Sequence, residues 1–138
     1  MRFYDREKET AELLRIRQLT IDDSSRMTLV TGRRRIGKTT LIQRAYADTA
    51  MVYLYVKRRN EKELVQTFCE AIRSQIDMFI PNGIAQFTDL LRLLLEYSKQ
   101  HPFTLVLDEF QEFVHVNTDI FQDMQELWDT YHTQTHLN

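Results

Sequence analysis

Apolar residues gather in three short runs separated by longer stretches with helical spacing. Met27-Thr28-Leu29-Val30-Thr31, Met51-Val52-Tyr53-Leu54-Tyr55-Val56 and Phe103-Thr104-Leu105-Val106-Leu107 are rich in β-branched, aromatic and aliphatic side chains. Their length and composition predict buried strands. The stretch from Asp5 to about Leu19 predicts a helix, with Asp5 as N-cap and Ala11, Leu13, Leu14 and Leu19 as its apolar stripe. Ile21 to Ser25 reads as a polar loop. A second helix is expected from Lys38 to about Ala47, with Leu41, Ile42, Ala45 and Tyr46 inward.

Asn60 followed by Glu63 resembles a capping arrangement and opens a helix through Leu64, Val65, Phe68, Cys69, Ile72 and Ile76. Pro81-Asn82-Gly83 marks a turn. Thr88 is placed to cap the next helix, which carries Leu90, Leu91, Leu93, Leu94, Leu95 and Tyr97 and ends at His101-Pro102. A last amphipathic helix holds Ile120, Phe121, Met124, Leu127, Trp128 and Tyr131. Strands alternating with helices predict an α/β fold with a mainly parallel sheet.

Composition sharpens this reading. Only 3 glycines and 2 prolines occur in 138 residues, so most of the chain is expected in regular elements joined by short connections. With 43% hydrophobic and 28% charged residues the chain can bury a core. The length suits one domain, 1–138, with 1–26 as a helix and loop leading into it. The net charge of −2 argues against coating nucleic acid or an anionic membrane. No apolar run approaches the ~18 residues of a membrane span, and the charged N-terminus lacks a signal peptide's apolar stretch. One cysteine, Cys69, excludes an internal disulfide framework and is most simply a core residue. A cytoplasmic protein is expected.

The glycines lead to the chemistry. Gly32-Arg33-Arg34-Arg35-Ile36-Gly37-Lys38-Thr39 fits G-x-x-x-x-G-K-[ST] at every fixed position, between an apolar run and an amphipathic helix. Glycine lets the backbone curl so that successive N–H groups point inward at phosphate oxygens. The following helix adds its N-terminal N–H groups and the positive end of its dipole. Lys38 is placed to reach the β- and γ-phosphates and the Thr39 hydroxyl to bind Mg²⁺. Residues 32–40, Thr40 included, form the expected nucleotide-contacting segment.

The third apolar run ends in Asp108-Glu109. Asp108 suits a Walker-B aspartate that holds Mg²⁺ through its water shell. Glu109 suits a general base for the attacking water. The Asn-Lys-x-Asp guanine-reading motif is absent, which favours ATP over GTP.

Phe3-Tyr4-Asp5-Arg6-Glu7-Lys8-Glu9, the segment Gly32 to Ile42, and Leu107-Asp108-Glu109-Phe110-Gln111 together resemble an archaeal and bacterial P-loop ATPase family. That family is related to AAA+ and STAND ATPases and, distantly, to origin-recognition ATPases. The resemblance runs over essentially the whole chain and implies a three-layer α/β/α P-loop fold in a prokaryotic protein. It puts Phe3, Arg6 and Glu7 near the adenine side of an ATP/ADP site. Members of the family continue with a sensor-1 strand that lies between the Walker-B strand and the phosphate-loop strand. Thr135-His136-Leu137-Asn138 falls where that strand begins, so the fold is expected to be truncated after the Walker-B strand and its following helix. Met27–Thr31 and Phe103–Leu107 then either pair directly, or another chain fills the gap, or the open edges invite self-association or a protein partner.

Two features are more simply read without a site. Arg33-Arg34-Arg35 beside phosphates suits the nucleotide or a partner, and nucleic acid finds no support in the net charge. His132 and His136 have metal-like spacing but no evident third ligand, and are expected to be exposed at a fraying end. The functional expectation is a Mg²⁺-dependent ATPase module with slow turnover. The alternatives are a nucleotide-dependent switch that does not hydrolyse, and the ATPase part of a DNA-associated protein.

Overall fold

A computed structural model describes residues 7–30 and 37–138. The elements are α1 (Glu7–Asp22), α2 (Lys38–Ala45), β1 (Met51–Tyr55), α3 (Glu61–Gln75), α4 (Phe87–Ser98), β2 (Thr104–Asp108), a 3-10 helix (Phe110–His115) and α5 (Ile120–Tyr131). β1 and β2 pair in parallel, with Met51 opposite Thr104 and Tyr55 opposite Asp108. A parallel pair needs a crossover between its strands, and α3 and α4 supply it.

Side-chain alternation along the strands divides the interior in two. Val52, Leu54 and Val56 join residues of α3, α4 and α5 in the larger core, where Phe68, Phe87 and Phe113 meet in edge-on and tilted contacts. On the opposite face, Met51 packs against a smaller cluster of Leu13, Leu41, Ala45 and Tyr46 from α1 and α2. The sheet therefore lies between helices on both sides, as a P-loop α/β fold requires. The outer edge of β1 is covered at Tyr53: the Gln75 side-chain amide accepts from its N–H at 2.7 Å and donates to its carbonyl at 3.1 Å. Gln75 so occupies an edge that could otherwise pair with another strand.

The Asn60 cap forms as expected, its side chain accepting from the Glu63 N–H at 2.9 Å. The Pro81-Asn82-Gly83 turn forms too, with Gly83 at φ 88°. Several expectations need correction. In α1 the buried residues are Leu13 and Thr20, while Leu14 and Leu19 are exposed. The inward stripe is Leu13, Ile16, Arg17 and Thr20; the Thr20 hydroxyl satisfies itself on the Ile16 carbonyl at 3.0 Å, so a polar residue sits where an apolar one was sought. The helix also runs through Ile21 and Asp22, and Ser24 and Ser25 are buried, not a solvated loop. Its expected cap, Asp5, lies outside the described residues.

Thr88 does not cap α4, which begins one residue earlier, at Phe87, with Gln86 before it. Phe87 is wholly buried, and its N–H donates to the Glu61 carboxylate at 2.9 Å. A cap from another helix replaces the local one.

Met27 to Val30 forms no strand, and Met27 and Leu29 are 65% and 77% exposed. A strand needs a neighbour, and among the described residues of this run direct pairing with β2 does not occur. Instead the segment 135–138 lies between the two. The Arg26 N–H donates to the Leu137 carbonyl at 3.1 Å, the Asn138 N–H to the Phe103 carbonyl at 3.1 Å, and the Leu105 N–H to the Asn138 carbonyl at 2.8 Å. Leu137 bridges Phe103 in the parallel sense. The segment 135–138 thus lies at the edge of β2 where the family resemblance implied a middle strand. Past Leu105, no further backbone pairing on this edge of β2 occurs among the described residues.

His132 and His136 are also corrected. Neither is frayed or fully exposed: the His132 Nδ1–H donates to the Trp128 carbonyl at 2.9 Å and the His136 Nδ1–H to the Thr20 carbonyl at 2.8 Å. Each ring is tied to backbone, and no group of metal-ligating side chains occurs among the described residues.

Candidate nucleotide site

The carboxyl end of a parallel strand is where open α/β sheets bind ligands. Here that end is Asp108 on β2, facing the N-terminus of α2. Residues alternate along β2 so that Thr104, Val106 and Asp108 face α1 and α2, the side opposite the larger core. Gly37 precedes α2 at φ 83°, ψ 24°, a left-handed conformation natural to glycine. The Gly37 carbonyl accepts from the Leu41 N–H at 2.8 Å and opens the helix.

Lys38 and Thr39, the first two residues of α2, are half-buried, and Thr40 is exposed. The Thr39 hydroxyl donates to Asp108 Oδ2 at 3.1 Å, so the structure brings together the two residues assigned to Mg²⁺. Asp108 Oδ1 accepts from the Glu109 N–H at 2.9 Å. Glu109 stands at φ 57°, ψ 43°, the one non-glycine residue at positive φ among those described. That turn ends β2 and directs the chain into the 3-10 helix, where the Glu112 N–H donates to the Glu109 carbonyl at 2.9 Å. The Glu109 carboxylate accepts from the Gln111 side chain. Arg58, from the segment after β1, donates to Glu112 on the 3-10 helix at 2.8 Å. Gly32, Arg33, Arg34, Arg35 and Ile36 lie outside the described residues, as do Phe3 and Arg6.

A family profile described as an AAA domain matches residues 21–137. The chain belongs to the AAA domain family. This places it among the nucleotide-binding P-loop ATPase domains, in agreement with its α/β layering and with a glycine-led helix facing a strand-end aspartate. No curated protein and no solved structure matches this AAA domain. Among its described residues no helix is long and apolar enough to cross a membrane.

One participant went unread in the sequence. Tyr53 projects from β1 on the same face as Asp108, and its phenol donates to Asp108 Oδ2, the oxygen that also accepts from Thr39. Burial pushes the Tyr53 phenol well above its usual range, and the Asp108 bond and charge add to the effect. The signal was present in the alternation of β1: Val52, Leu54 and Val56 claim the core face, which leaves Tyr53 and Tyr55 for the other.

Proposed function

We propose that this AAA domain binds ATP together with Mg²⁺ and hydrolyses it. The observation that carries the reading is the Thr39–Asp108 hydrogen bond, which joins the helix after the phosphate loop to the end of the acidic strand. A hydroxyl and a carboxylate are hard oxygen donors and fit Mg²⁺. Thr39 and Asp108 would hold it, and Mg²⁺ there would supply positive charge that offsets the negative charge of the phosphates.

The chain's own residues divide the remaining work. Gly37 and the first N–H groups of α2, with residues 32–36, hold the phosphates, and Lys38 places its ammonium against the β- and γ-phosphates. Glu109 orients the attacking water and takes its proton as the γ-phosphoryl transfers. Glu109 follows Asp108 directly, so the base and the metal-holding carboxylate share one strand end. The family resemblance assigns Phe3 and Arg6, which lie outside the described residues, to contacts with the adenine.

Two variants test this. Lys38→Ala should weaken ATP binding by about tenfold or more, the loss of a charge-assisted contact. Glu109→Gln should bind ATP as before while phosphate release falls about a hundredfold. Binding by the unaltered chain without phosphate release would instead assign a nucleotide-dependent switch. Unchanged affinity in Lys38→Ala would remove the site.

A further inference from the structure

Asp108 is held by donors from three separate parts of the chain. Oδ1 accepts from the Glu109 N–H at 2.9 Å. Oδ2 accepts from the Thr39 hydroxyl on α2 at 3.1 Å and from the Tyr53 phenol on β1. A carboxylate has about four lone-pair positions, so three donors leave room for further contact while fixing the plane of the group.

Backbone and Thr39 bonds alone do not complete that restraint. The Glu109 N–H belongs to the next residue in the chain, and Thr39 is itself a candidate Mg²⁺ ligand whose hydroxyl has two tasks. Tyr53 differs from both. It lies on the neighbouring strand, where Tyr53 is opposite Val106 and Tyr55 is opposite Asp108. Its ring therefore reaches diagonally to the carboxylate from a β1 backbone that Gln75 clamps at the same residue, on both N–H and carbonyl. The donor is thus anchored at its base as well as at its tip.

We propose that Tyr53 is a positioning residue for the metal site: its hydroxyl orients the Asp108 carboxylate for Mg²⁺. The proposal rests on the nucleotide-site reading above and extends it to a residue outside the phosphate loop and the acidic pair. Outer-shell donors to metal-holding carboxylates typically change metal affinity by 10–100-fold when removed. Asp108 is read as holding Mg²⁺ through its water shell, one step further out than a direct ligand, so the loss of Tyr53 is expected at the lower end of that range.

The experiment is a Mg²⁺ titration of fluorescent ATP-analogue binding in the full chain, with Tyr53→Phe and Tyr55→Phe compared with the unaltered protein. Tyr55→Phe is the control, since Tyr55 is exposed and has no hydrogen bond to Asp108 among those described. Tyr53→Phe should raise the Mg²⁺ concentration for half-saturation about tenfold, while nucleotide affinity in EDTA stays within error and the melting temperature without Mg²⁺ falls only by what one lost hydrogen bond accounts for. A merely structural role would move the EDTA affinity instead, and that result overturns the proposal. An unchanged half-saturation overturns it as well. A lowered half-saturation also does so, because it makes the phenol a competitor of the metal. If the unaltered chain shows no Mg²⁺-dependent binding, the site reading itself fails and this proposal with it; a Mg²⁺-dependent unaltered chain with an unaffected Tyr53→Phe sinks the proposal alone.

Discussion

The Glu61 carboxylate on α3 accepts from the backbone N–H of Phe87 at 2.9 Å and so caps α4, a helix that starts 26 residues later. Its other oxygen accepts from the Asn117 side chain at 3.1 Å, in the segment before α5. One side chain thus joins α3, α4 and the segment that leads into α5. In addition, as the first residue of α3, Glu61 lies favourably at that helix's positive end. Glu61→Ala is expected to lower stability by about 1–2 kcal/mol, the range for a lost N-cap. Glu61→Gln keeps an acceptor oxygen and should lose less. Urea denaturation of both variants checks the order.

A hydroxyl relay ties the segment after α1 to the segment after α5. The Leu137 N–H donates to Ser25 Oγ at 2.8 Å, and the Thr135 hydroxyl donates to the Tyr131 carbonyl at 2.9 Å. Each hydroxyl has a single proton, so Ser25 is the donor in its 2.6 Å bond to Thr135. Ser25 and Thr135 are both buried. Ser25→Ala leaves the Leu137 N–H without its acceptor and should lower stability by about 1–3 kcal/mol. The accompanying sign is faster hydrogen exchange at Leu137, measurable by NMR.

Tyr46 makes stability sensitive to alkali. Its phenol donates to the Leu13 carbonyl at 2.9 Å and accepts from the Asn138 side chain at 3.1 Å. Burial raises its pKa, against smaller lowering effects from Asn138 and the charge of Arg17. The folded state therefore holds this proton at pH values where the unfolded chain has lost it. The contribution is complete below the ordinary tyrosine value of about 10 and fades as pH rises through the folded value. Thermal melts from pH 8 upward should show a decline beginning near pH 10. Tyr46→Phe should be less stable at neutral pH, by about 1 kcal/mol, and should decline less steeply in alkali.

The two edges of β2 should differ in amide exchange. The Thr104 N–H donates to the Ala50 carbonyl at 3.0 Å, so the N–H groups of Thr104, Val106 and Asp108 point to β1. Those of Leu105 and Leu107 point the other way, and only Leu105 meets the 135–138 segment. Leu107 should therefore exchange markedly faster than Val106. Equal protection at the two residues would contradict this register.

Elements governed by short-range pattern were readable from the sequence. α2, β1, α3, β2 and α5 follow apolar spacing, and the Asn60 cap follows from the Glu63 N–H three residues on. The residues that escaped all depend on partners distant in the chain. Thr88 looked like a cap because Glu61 cannot be seen as one from its own position. Ser24 and Ser25 looked like loop because their burial comes from residues after α5. Met27–Val30 looked like strand because its composition is right, yet pairing is a property of neighbours. At the site, Thr39 and Asp108 were legible as motif positions, whereas Tyr53 belongs to no motif and depends on the β1–β2 register.

The left-handed backbone at Glu109 has an engineering consequence. A non-glycine residue there is disfavoured by roughly 1–2 kcal/mol, so Glu109→Gly should stabilise the fold by about 1 kcal/mol even as it deletes the carboxylate proposed as the base. Any search for hardier variants by thermal challenge alone would collect glycine at this position and discard the proposed chemistry. Robustness and reactivity thus pull on the same dihedral angle, and a useful screen must reward both.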